Sequence, residues 1–517
     1  MKLIAAWLGL LALPVTAAIE IGSRRELFVD DALIEKISGE ARLQLHQPVP
    51  REIVLSHDAP WEGTGSGYHS VFQDGDRYRL FYKSWTVQLK DGKYTETNPL
   101  YTAYAESDDG IHWRKPNLGL HDFQGSKANN IVIAGVHLGE MEVDAGHPAI
   151  FRDDNPAAAP DARYKAMLRA RRPGERSPVP TGGVMAFKSP DGLHWTPMSD
   201  RPVITDGAFD SQNLAFWDAE HGVYRAYWRY FAEASGVERL GRPPGIRGVR
   251  TAVSKDFLTW TDQRDLNYFD SPPEQLYTNQ VKPYSRAPHL LIGFPARYTD
   301  RGWSESMRAL PEPEHRAAVD KEVPRYGTAI TEGLLMASRD GVNFKRWNEA
   351  FLRPGPERPG TWNYGQQFIA WHVVETKSDL KGAPNELSLY ASESYCTPPG
   401  ERSDLRRYTL RLDGFVSVQA TRKGGELVTK PIRFSGRKLV LNFSSSAAGD
   451  VRVELLDEKG WPISGYGLDD CPPIFGDAIE RPVTWRSGAD LSHLAGKTVQ
   501  VRFVLRDADL FAYQFQP

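Results

Sequence analysis

Along most of the chain, apolar residues alternate with polar ones in runs of about five to eight residues, and turn-forming residues separate the runs. A period of two is typical of strands with one buried face, and no strong helical periodicity interrupts the series. The clearest case is 67–82, where two alternating runs flank the turn Gln73-Asp74-Gly75-Asp76. This pattern predicts an all-β protein made of antiparallel strands.

One turn motif returns four times after such a run. Each copy has Ser first, Asp third and an aromatic residue seventh, and the copies are 107–113, 189–195, 254–260 and 338–344. Asp-Gly supplies the positive φ that a tight hairpin needs, although the third copy lacks the glycine. Repeats at this spacing indicate a repeat architecture, in which the aromatic residue plugs the space between neighbouring sheets. We interpret the four aspartates as turn residues rather than catalytic acids: Asp109, Asp191, Asp256 and Asp340.

Counting strands around these turns gives five four-stranded units. Five consecutive units predict a five-bladed β-propeller over 19–414, in which an early strand at 27–30 is free to complete the ring. From residue 415 onward, alternating strands joined by Gly-containing turns predict a β-sandwich over 415–517.

The first 18 residues have the pattern of a signal peptide. Lys2 precedes an apolar run at 3–15, and small residues at 16–18 suit cleavage. We therefore expect a bacterial protein that is secreted or periplasmic and has no membrane association after cleavage. The two cysteines, Cys396 and Cys471, are too far apart in sequence to decide whether they pair.

Composition narrows the class of partner. A net charge of -3 argues against nucleic acid, because no basic field would attract phosphates. The chain is 11% aromatic and holds 14 Trp, which suits stacking on sugar rings. We expect a carbohydrate substrate, no cofactor and no metal.

In a propeller, the residues just before each inner strand converge at one end of the channel. Four blades each offer one carboxylate there: Glu62, Asp144, Asp210 and Glu274. Converging carboxylates repel, so we expect the pKa of at least one to be raised. A raised acid beside an ionised partner is what cleavage of a glycosidic bond requires.

The residues around these carboxylates suit sugar binding. Hydrogen-bonding candidates are His147, Gln212, Asn213, Asn279, Gln280 and Asn363. Stacking candidates are Tyr68, Tyr277, Trp362 and Tyr364. Arg250 and Arg297 are candidates for binding an anionic sugar, with surface ion pairs as the alternative.

The predicted blades, the trailing sandwich and the repeated turns resemble the furanosidase-type glycoside hydrolases of families 32, 43 and 68. A closer resemblance is to uncharacterised bacterial proteins similar to the family 32 N-terminal domain, on the stretches 26–31, 209–213, 277–280 and 407–415. Family 32 carries Asn-Asp-Pro, Arg-Asp-Pro and Glu-Cys motifs. Here only 151–154 loosely matches the second, so sucrose-type substrates are not supported. A three-carboxylate pattern as in family 43 would use Glu62 or Asp30, together with Asp144 and Asp210.

These observations lead to one functional hypothesis and two alternatives. The hypothesis is a secreted glycoside hydrolase acting on a plant or algal polysaccharide or oligosaccharide. Asp210 would be one catalytic carboxylate, Asp144 or Glu62 the other, and Glu274 a modulator or third candidate. The first alternative is a polysaccharide lyase, in which Asn213 and Asn279 neutralise a uronate and His147 or Tyr277 takes a proton. The second is a glycan-binding propeller without catalysis.

Overall fold

The computed structural model describes residues 17–90, 92–135, 138, 140–172, 183–232, 245–398 and 401–517. The predicted signal peptide falls almost entirely outside this part of the chain. The described chain is mostly antiparallel β-sheet, as the alternating pattern predicts. None of its helices is long and apolar enough to cross a membrane. Two compact units are present, a central unit of residues 45–415 and a terminal unit of residues 17–44 and 416–517.

The central unit contains five successive antiparallel sheets, here numbered 1 to 5 in chain order. Sheet 1 has Gly67–Asp74, Arg77–Ser84, Tyr101–Ser107 and a last strand interrupted into Trp113–Arg114 and Ile131–Ala134, which both pair with Tyr101–Ser107. Sheet 2 has a first strand interrupted into Glu142–Val143 and Ile150–Arg152, which both pair with the second strand Tyr164–Arg171, followed by Gly183–Ser189 and Thr196–Pro197. Sheet 3 has Leu214–Asp218, Val223–Ala232, Ile246–Ser254 and Trp260–Asp265.

Sheets 4 and 5 each contain strands that are not consecutive in the sequence. Sheet 4 has Lys282–Tyr284, Ala287–Gly293, Met336–Ser338 and Lys345–Arg346. A small extra sheet lies within this region, with strands Gln275–Leu276, Ala296–Asp300 and Ala329–Gly333. The helices Glu305–Ala309 and Pro313–Glu322, which the sequence pattern did not predict, connect two of its strands. Sheet 5 has Val374–Thr376, Glu386–Glu393, Asp404–Arg411 and Val49–Ser56.

The repeated motif forms the turn between the last two strands of sheets 1 to 4. In the first copy, Oγ of Ser107 accepts the N–H of Gly110 (2.9 Å), and Oδ1 of Asp109 accepts the N–H groups of Ile111 and His112 (both 2.8 Å). The other three copies repeat the aspartate bonds. The motif aspartates are therefore occupied by backbone groups, as the prediction of a structural role requires.

Aromatic residues of the turns pack against the neighbouring sheet. Phe344 of sheet 4 lies 6.1 Å from Tyr227 of sheet 3, measured between ring centroids. In the copy without glycine, Phe257 itself adopts the positive φ (+69°), and its ring lies 5.9 Å from Phe151 of sheet 2. Trp113 of sheet 1 lies 5.9 Å from Tyr390 of sheet 5. The first and fifth sheets are thus neighbours.

A buried amide network joins the first strands of the sheets. Nε2 of Gln280 donates to Oε1 of Gln212 and to the carbonyl of Ile369, both at 2.9 Å. Nε2 of Gln212 donates to the carbonyl of Pro148 (2.7 Å), which also accepts from Oγ of Ser70 (3.0 Å). These five residues come from or flank the first strands of all five sheets. The network therefore marks the place where those strands converge.

The N-terminal segment corrects one prediction. We expected the strand near 27–30 to complete the propeller ring, but Arg25–Leu27 pairs with the last strand of the chain, Gln500–Gln516. The fourth strand of sheet 5 is instead Val49–Ser56. Residues 17–44 therefore belong with the terminal unit and not with the predicted 19–414 domain. Partner strands this distant in sequence leave no local signal.

The terminal unit is a six-stranded sheet with a two-stranded companion. The six strands are Arg25–Leu27, Ile34–Leu45, Val416–Thr429, Lys438–Leu456, Asp477–Pro482 and Gln500–Gln516. The companion pairs Ile19–Gly22 with Ile432–Phe434 in parallel. Register shifts interrupt the three longest strands, so each can bend part-way along. Both cysteines are free thiols.

Candidate functional site

Antiparallel pairing brings the start of each first strand to the same edge as the end of the second. In sheet 1 this places Gly67 opposite Lys83. The residues gathered at this edge form a cluster that we call the tyrosine site. Its members are Tyr68, Lys83, Asp144, His147, Arg169, Asp210, Arg229, Arg247, Tyr277, Tyr364 and Tyr395.

Phenol rings from several sheets form the wall of the site. The hydroxyl of Tyr364 donates to that of Tyr277 (2.7 Å). Phe368 lies beneath them, with ring centroids 5.4 Å from Tyr277 and 5.6 Å from Tyr68. Burial and the nearby Tyr277 hold the pKa of Tyr68 well above its usual range. The predicted stacking residues Tyr68, Tyr277 and Tyr364 therefore share one apolar surface with polar hydroxyl groups.

His147 and Asp144 form a pair beside this wall. Nδ1 of His147 lies 2.9 Å from Oδ2 of Asp144, and the imidazole contacts the Tyr68 ring edge-on at 4.6 Å. Arg169 forms an ion pair with the same carboxylate (2.8 Å). Burial alone would raise the pKa of Asp144, but His147, Arg169 and the N–H of Gly146 hold it well below its usual range. Asp144 is therefore an ionised anchor for the imidazole.

Asp210 is the carboxylate of the site that remains partly open to solvent. Its side chain is 34% exposed, and it forms an ion pair with the buried guanidinium of Arg229. That guanidinium also lies over the Tyr277 ring, 5.0 Å from its centroid. An accessible carboxylate held by a fixed cation is placed to act on a substrate lying against the tyrosine wall.

Two further cations complete the site. The ammonium of Lys83 lies 4.8–4.9 Å from the ring centroids of Tyr68, Trp85 and Tyr395. Arg247 lies 5.0 Å from the centroid of Tyr277. Four cationic side chains therefore stand against two carboxylates in the tyrosine site.

The expectation of a raised carboxyl pKa does not hold for Asp144. Cations alternate with the predicted acids, so Asp144 is stabilised in its ionised form. In the part of the chain that the structure describes, every carboxyl group with a resolved shift has its pKa lowered. The imidazole of His147, oriented by Asp144, is the neutral-side-chain candidate for hydrogen bonding at this edge.

Glu62 stands apart from this cluster. Its buried carboxylate binds Lys115 (2.5 Å), accepts from the hydroxyl of Tyr82 (2.5 Å) and accepts the N–H of Ala59 (3.0 Å). It lines a different cavity, which it shares with His57. Asp30, the alternative suggested by the family resemblance, belongs to the terminal unit, where it accepts the N–H of Ala32 (3.1 Å).

Glu274 and the two predicted anion-binding arginines are engaged in ion pairs. Arg297 and Arg346 hold Glu274 at 2.9 and 3.0 Å, and Arg297 also binds Glu332. Arg250 binds Asp206 and Asp265, both at 2.6 Å. For Arg250 and Arg297 the ion-pair alternative is therefore the one that the structure shows.

The predicted amide ligands mostly bind the protein itself. Gln212 and Gln280 belong to the buried network between the sheets. Asn213 donates to two carbonyls near its own strand, and Oδ1 of Asn279 accepts the N–H of Val281 at 3.4 Å. Asn363 donates to the carbonyl of Tyr395 (3.2 Å), and Nε1 of Trp362 donates to that of Gly355 (2.8 Å).

Sequence analysis missed the cations of the site. Lys83, Arg169 and Arg229 lie at the ends of second strands, where a charged residue follows an apolar run and resembles an ordinary solvated strand end. The sequence prediction considered only residues that precede the first strands, whereas these cations lie on the second strands. The signal that could have found them is antiparallel pairing, which brings the end of each second strand to the same edge as the start of the first strand.

Comparison with known proteins gives no assignment from sequence. No protein-family model matches the chain, and no curated protein matches it either. Similar solved structures include a complex of BT0996 with RGII, which has 14% identity and a TM-score of 0.44 and covers 71% of this protein and 92% of its own length.

A family 43 arabinoxylan arabinofuranohydrolase from Bacillus subtilis has 13% identity, a TM-score of 0.41 and coverage of 91% and 99%. The catalytic domain of a Coprinopsis cinerea family 62 α-L-arabinofuranosidase has 9% identity, a TM-score of 0.40 and coverage of 71% and 97%. Solved structures similar to the chain thus include glycoside hydrolases. With TM-scores below 0.5, they assign neither a family nor an activity to it.

Proposed function

We propose that the protein is an exported glycoside hydrolase acting on a plant or algal glycan. The five sheets of the central unit would form a five-bladed propeller, and the terminal unit a β-sandwich. The buried amide network and the contact between sheets 1 and 5 support a closed ring. The tyrosine site would then lie at one end of the channel, the usual place for a propeller's binding site.

The observation that carries the proposal is the presence of two different groups beside one aromatic wall. Asp210 is a partly exposed carboxylate paired with Arg229. His147 is an imidazole oriented by Asp144. In our mechanism, Asp210 acts as the base that activates water or as the nucleophile, and His147 donates a proton to the leaving oxygen. Asp144 is a positioning residue, because it acts through His147.

The remaining predicted acids have no part in this mechanism. Glu62 and Glu274 hold neighbouring elements together through their ion pairs. The tyrosine rings would receive the faces of the sugar, and their hydroxyls would bind its hydroxyl groups. No cofactor is needed for the reaction as proposed.

A polysaccharide lyase is the second candidate, and the excess of cations in the site favours it. In that reaction His147 would remove the proton beside a uronate carboxylate, and the arginines would neutralise that carboxylate. The bond to the leaving oxygen would break as a carbon–carbon double bond forms. The same site would serve, so only the products separate the two reactions.

The test is incubation with a panel of neutral, uronate-containing and sulfated plant and algal polysaccharides, followed by mass spectrometry. Hydrolysis adds one water for each bond broken, whereas elimination adds none and gives a product that absorbs in the ultraviolet. We expect Asp210→Asn to lower kcat by about 10²- to 10⁴-fold. Asp206→Asn is the matched control, because Asp206 is exposed and pairs with Arg250. Binding without any product would leave the non-catalytic alternative.

A further inference from the structure

Arg247 is a buried cation that has no matching anion among the described residues. Its side chain belongs to the strand Ile246–Ser254, and the residue is only 3% exposed. Oε1 of Gln275 accepts from both the backbone N–H and Nη1 of Arg247, each at 3.0 Å. Nε has no hydrogen-bond partner in the part of the chain that the structure describes. Within the described residues, no carboxylate lies within ion-pair distance of this guanidinium.

The other buried arginines of the described chain have carboxylate or backbone-carbonyl partners, although Nε of Arg346, like that of Arg247, has no hydrogen-bond partner there. Arg225 binds Asp218, Arg346 binds Glu274, and Arg407 binds Glu52 and Glu386. Arg316, which has no carboxylate, donates to three backbone carbonyls. Taking a guanidinium out of water without such partners is costly, so an unmatched one needs a compensating function.

The surroundings of Arg247 point toward the tyrosine site. Its guanidinium lies 4.7 Å from the ring centroid of Tyr298 and 5.0 Å from that of Tyr277. Arg229 lies over the same Tyr277 ring, and its Nε also lacks a partner. Burial and the repulsion from Arg229 lower the pKa of Arg247. Asp210 pairs with Arg229, so among the described residues one of the two neighbouring guanidinium groups has no carboxylate partner.

We infer that Arg247 and Arg229 form an oxyanion subsite, which binds a carboxylate or sulfate group carried by a sugar of the glycan. Guanidinium groups recognise both oxyanions through paired N–H donors, and the tyrosine rings beside them can hold the sugar that bears the group. The inference rests on the proposed function, since it names the substrate class of the same site. It applies equally to hydrolysis and to elimination.

The test measures binding separately from catalysis. Calorimetric titrations use the Asp210→Asn protein, which keeps both arginines, with matched pairs of oligosaccharides. One pair is an oligouronate and its carboxyl-reduced counterpart, and the other is a sulfated oligosaccharide and its desulfated counterpart. We expect the anionic member of one pair to bind about 10- to 100-fold more tightly, which also identifies whether the source is carboxylate or sulfate. Equal binding within both pairs would overturn the inference.

The arginine is then tested directly. In the same background, Arg247→Gln is expected to remove most of the preference for the anionic member while changing the affinity for the neutral member less than about threefold. Arg247→Lys should restore part of the preference, since it keeps the charge but not the paired donors. Arg250→Gln is the control on the same strand, where the guanidinium already has two carboxylate partners.

The outcomes separate this inference from the proposed function. Cleavage of neutral glycans with no preference for anionic ones would support the enzyme and overturn the subsite. Binding of anionic oligosaccharides through Arg247, with no product from the wild-type protein, would support the subsite and overturn the enzyme. A preference for anions that persists unchanged in Arg247→Gln, with its melting temperature close to that of wild type, would also overturn the assignment.

Discussion

The ammonium of Lys83 donates a 2.6 Å hydrogen bond to the hydroxyl of Tyr395, in a space enclosed by aromatic rings. Its neighbours provide π-electrons and a phenol but no carboxylate ion pair within the described residues. Burial in these surroundings lowers the pKa of Lys83 to about 8. This lysine therefore loses its proton far more readily than an exposed one.

Lys83→Met is expected to change how stability depends on pH. The folded pKa lies below the unfolded value of 10.5, so between pH 8 and 10.5 the unfolded chain binds a proton that the folded chain does not. The charged lysine therefore costs stability below pH 8, and this cost of about 3 kcal/mol disappears as the pH rises toward 10.5. The melting temperature of the wild type should rise relative to that of Lys83→Met as the pH increases from 7 to 10. A constant difference across this range would contradict the burial of a charged lysine.

Asp144→Asn should lower kcat by about 10- to 100-fold with little change in KM. The amide replaces the carboxylate that contacts Nδ1 of His147, so the imidazole is less firmly oriented toward the substrate. The measurement is steady-state kinetics on the substrate identified from the panel. Glu142→Gln is the control, because Glu142 pairs with Arg171 on neighbouring strands (2.7 Å). Equal losses in both variants would indicate damage to sheet 2 rather than a role for the pair.

Asp191→Ala should lower stability by about 1 kcal/mol and leave activity unchanged. Its carboxylate accepts the N–H groups of Leu193 and His194, at 2.8 and 2.9 Å. Although partial burial acts in the opposite direction, these bonds lower the pKa of Asp191 to about 2. The stabilisation is therefore present above about pH 4 and is lost as the pH falls toward 2.

Thermal melts of wild type and Asp191→Ala from pH 6 to pH 3 should show the difference shrinking with acid. Asp200→Ala serves as the control, since this side chain is 70% exposed. A loss of activity in Asp191→Ala without loss of stability would contradict the structural role of the motif.

Removing only residues 416–517 should give an aggregating protein, and removing residues 17–44 as well should restore a soluble one. The strands Arg25–Leu27 and Ile34–Leu45 pair with strands of the C-terminal segment, so deleting their partners exposes unpaired edges. Size-exclusion chromatography and circular dichroism on both truncations provide the comparison. Aggregation of both to the same extent would show that unpaired edges are not the cause.

Local chemistry was predictable from the sequence. Asp109 accepts hydrogen bonds from N–H groups two and three residues away, so residues within the motif determine the turn. The alternating pattern also located Tyr68, Asp144, Asp210 and Tyr277 near the starts of first strands. The side chains that contact these residues come from distant segments of the chain. A local sequence pattern does not identify such contacts.

Long-range partners explain each departure from prediction. Glu62 is held by Lys115, 53 residues away, which removes it from the tyrosine site. The cations Lys83 and Arg247 occupy strands whose charged positions look solvated in sequence, although the fold buries them. The predicted rise in carboxyl pKa does not hold for Asp144, because Arg169, on the paired strand, contributes to lowering its pKa.

The position of Val49–Ser56 in sheet 5 sets the order in which the protein can be completed. This strand leaves the ribosome before any of the five sheets, yet its partner Asp404–Arg411 emerges last of them; the ion pair between Glu52 and Arg407 spans 355 residues. The early strand must stay unpaired while the intervening chain is synthesised, because its partner strand does not yet exist. Closing so long a loop afterwards is also slow. The nascent chain is therefore exposed to misassembly until Asp404–Arg411 has been synthesised, and sheet 5 cannot be completed before that point.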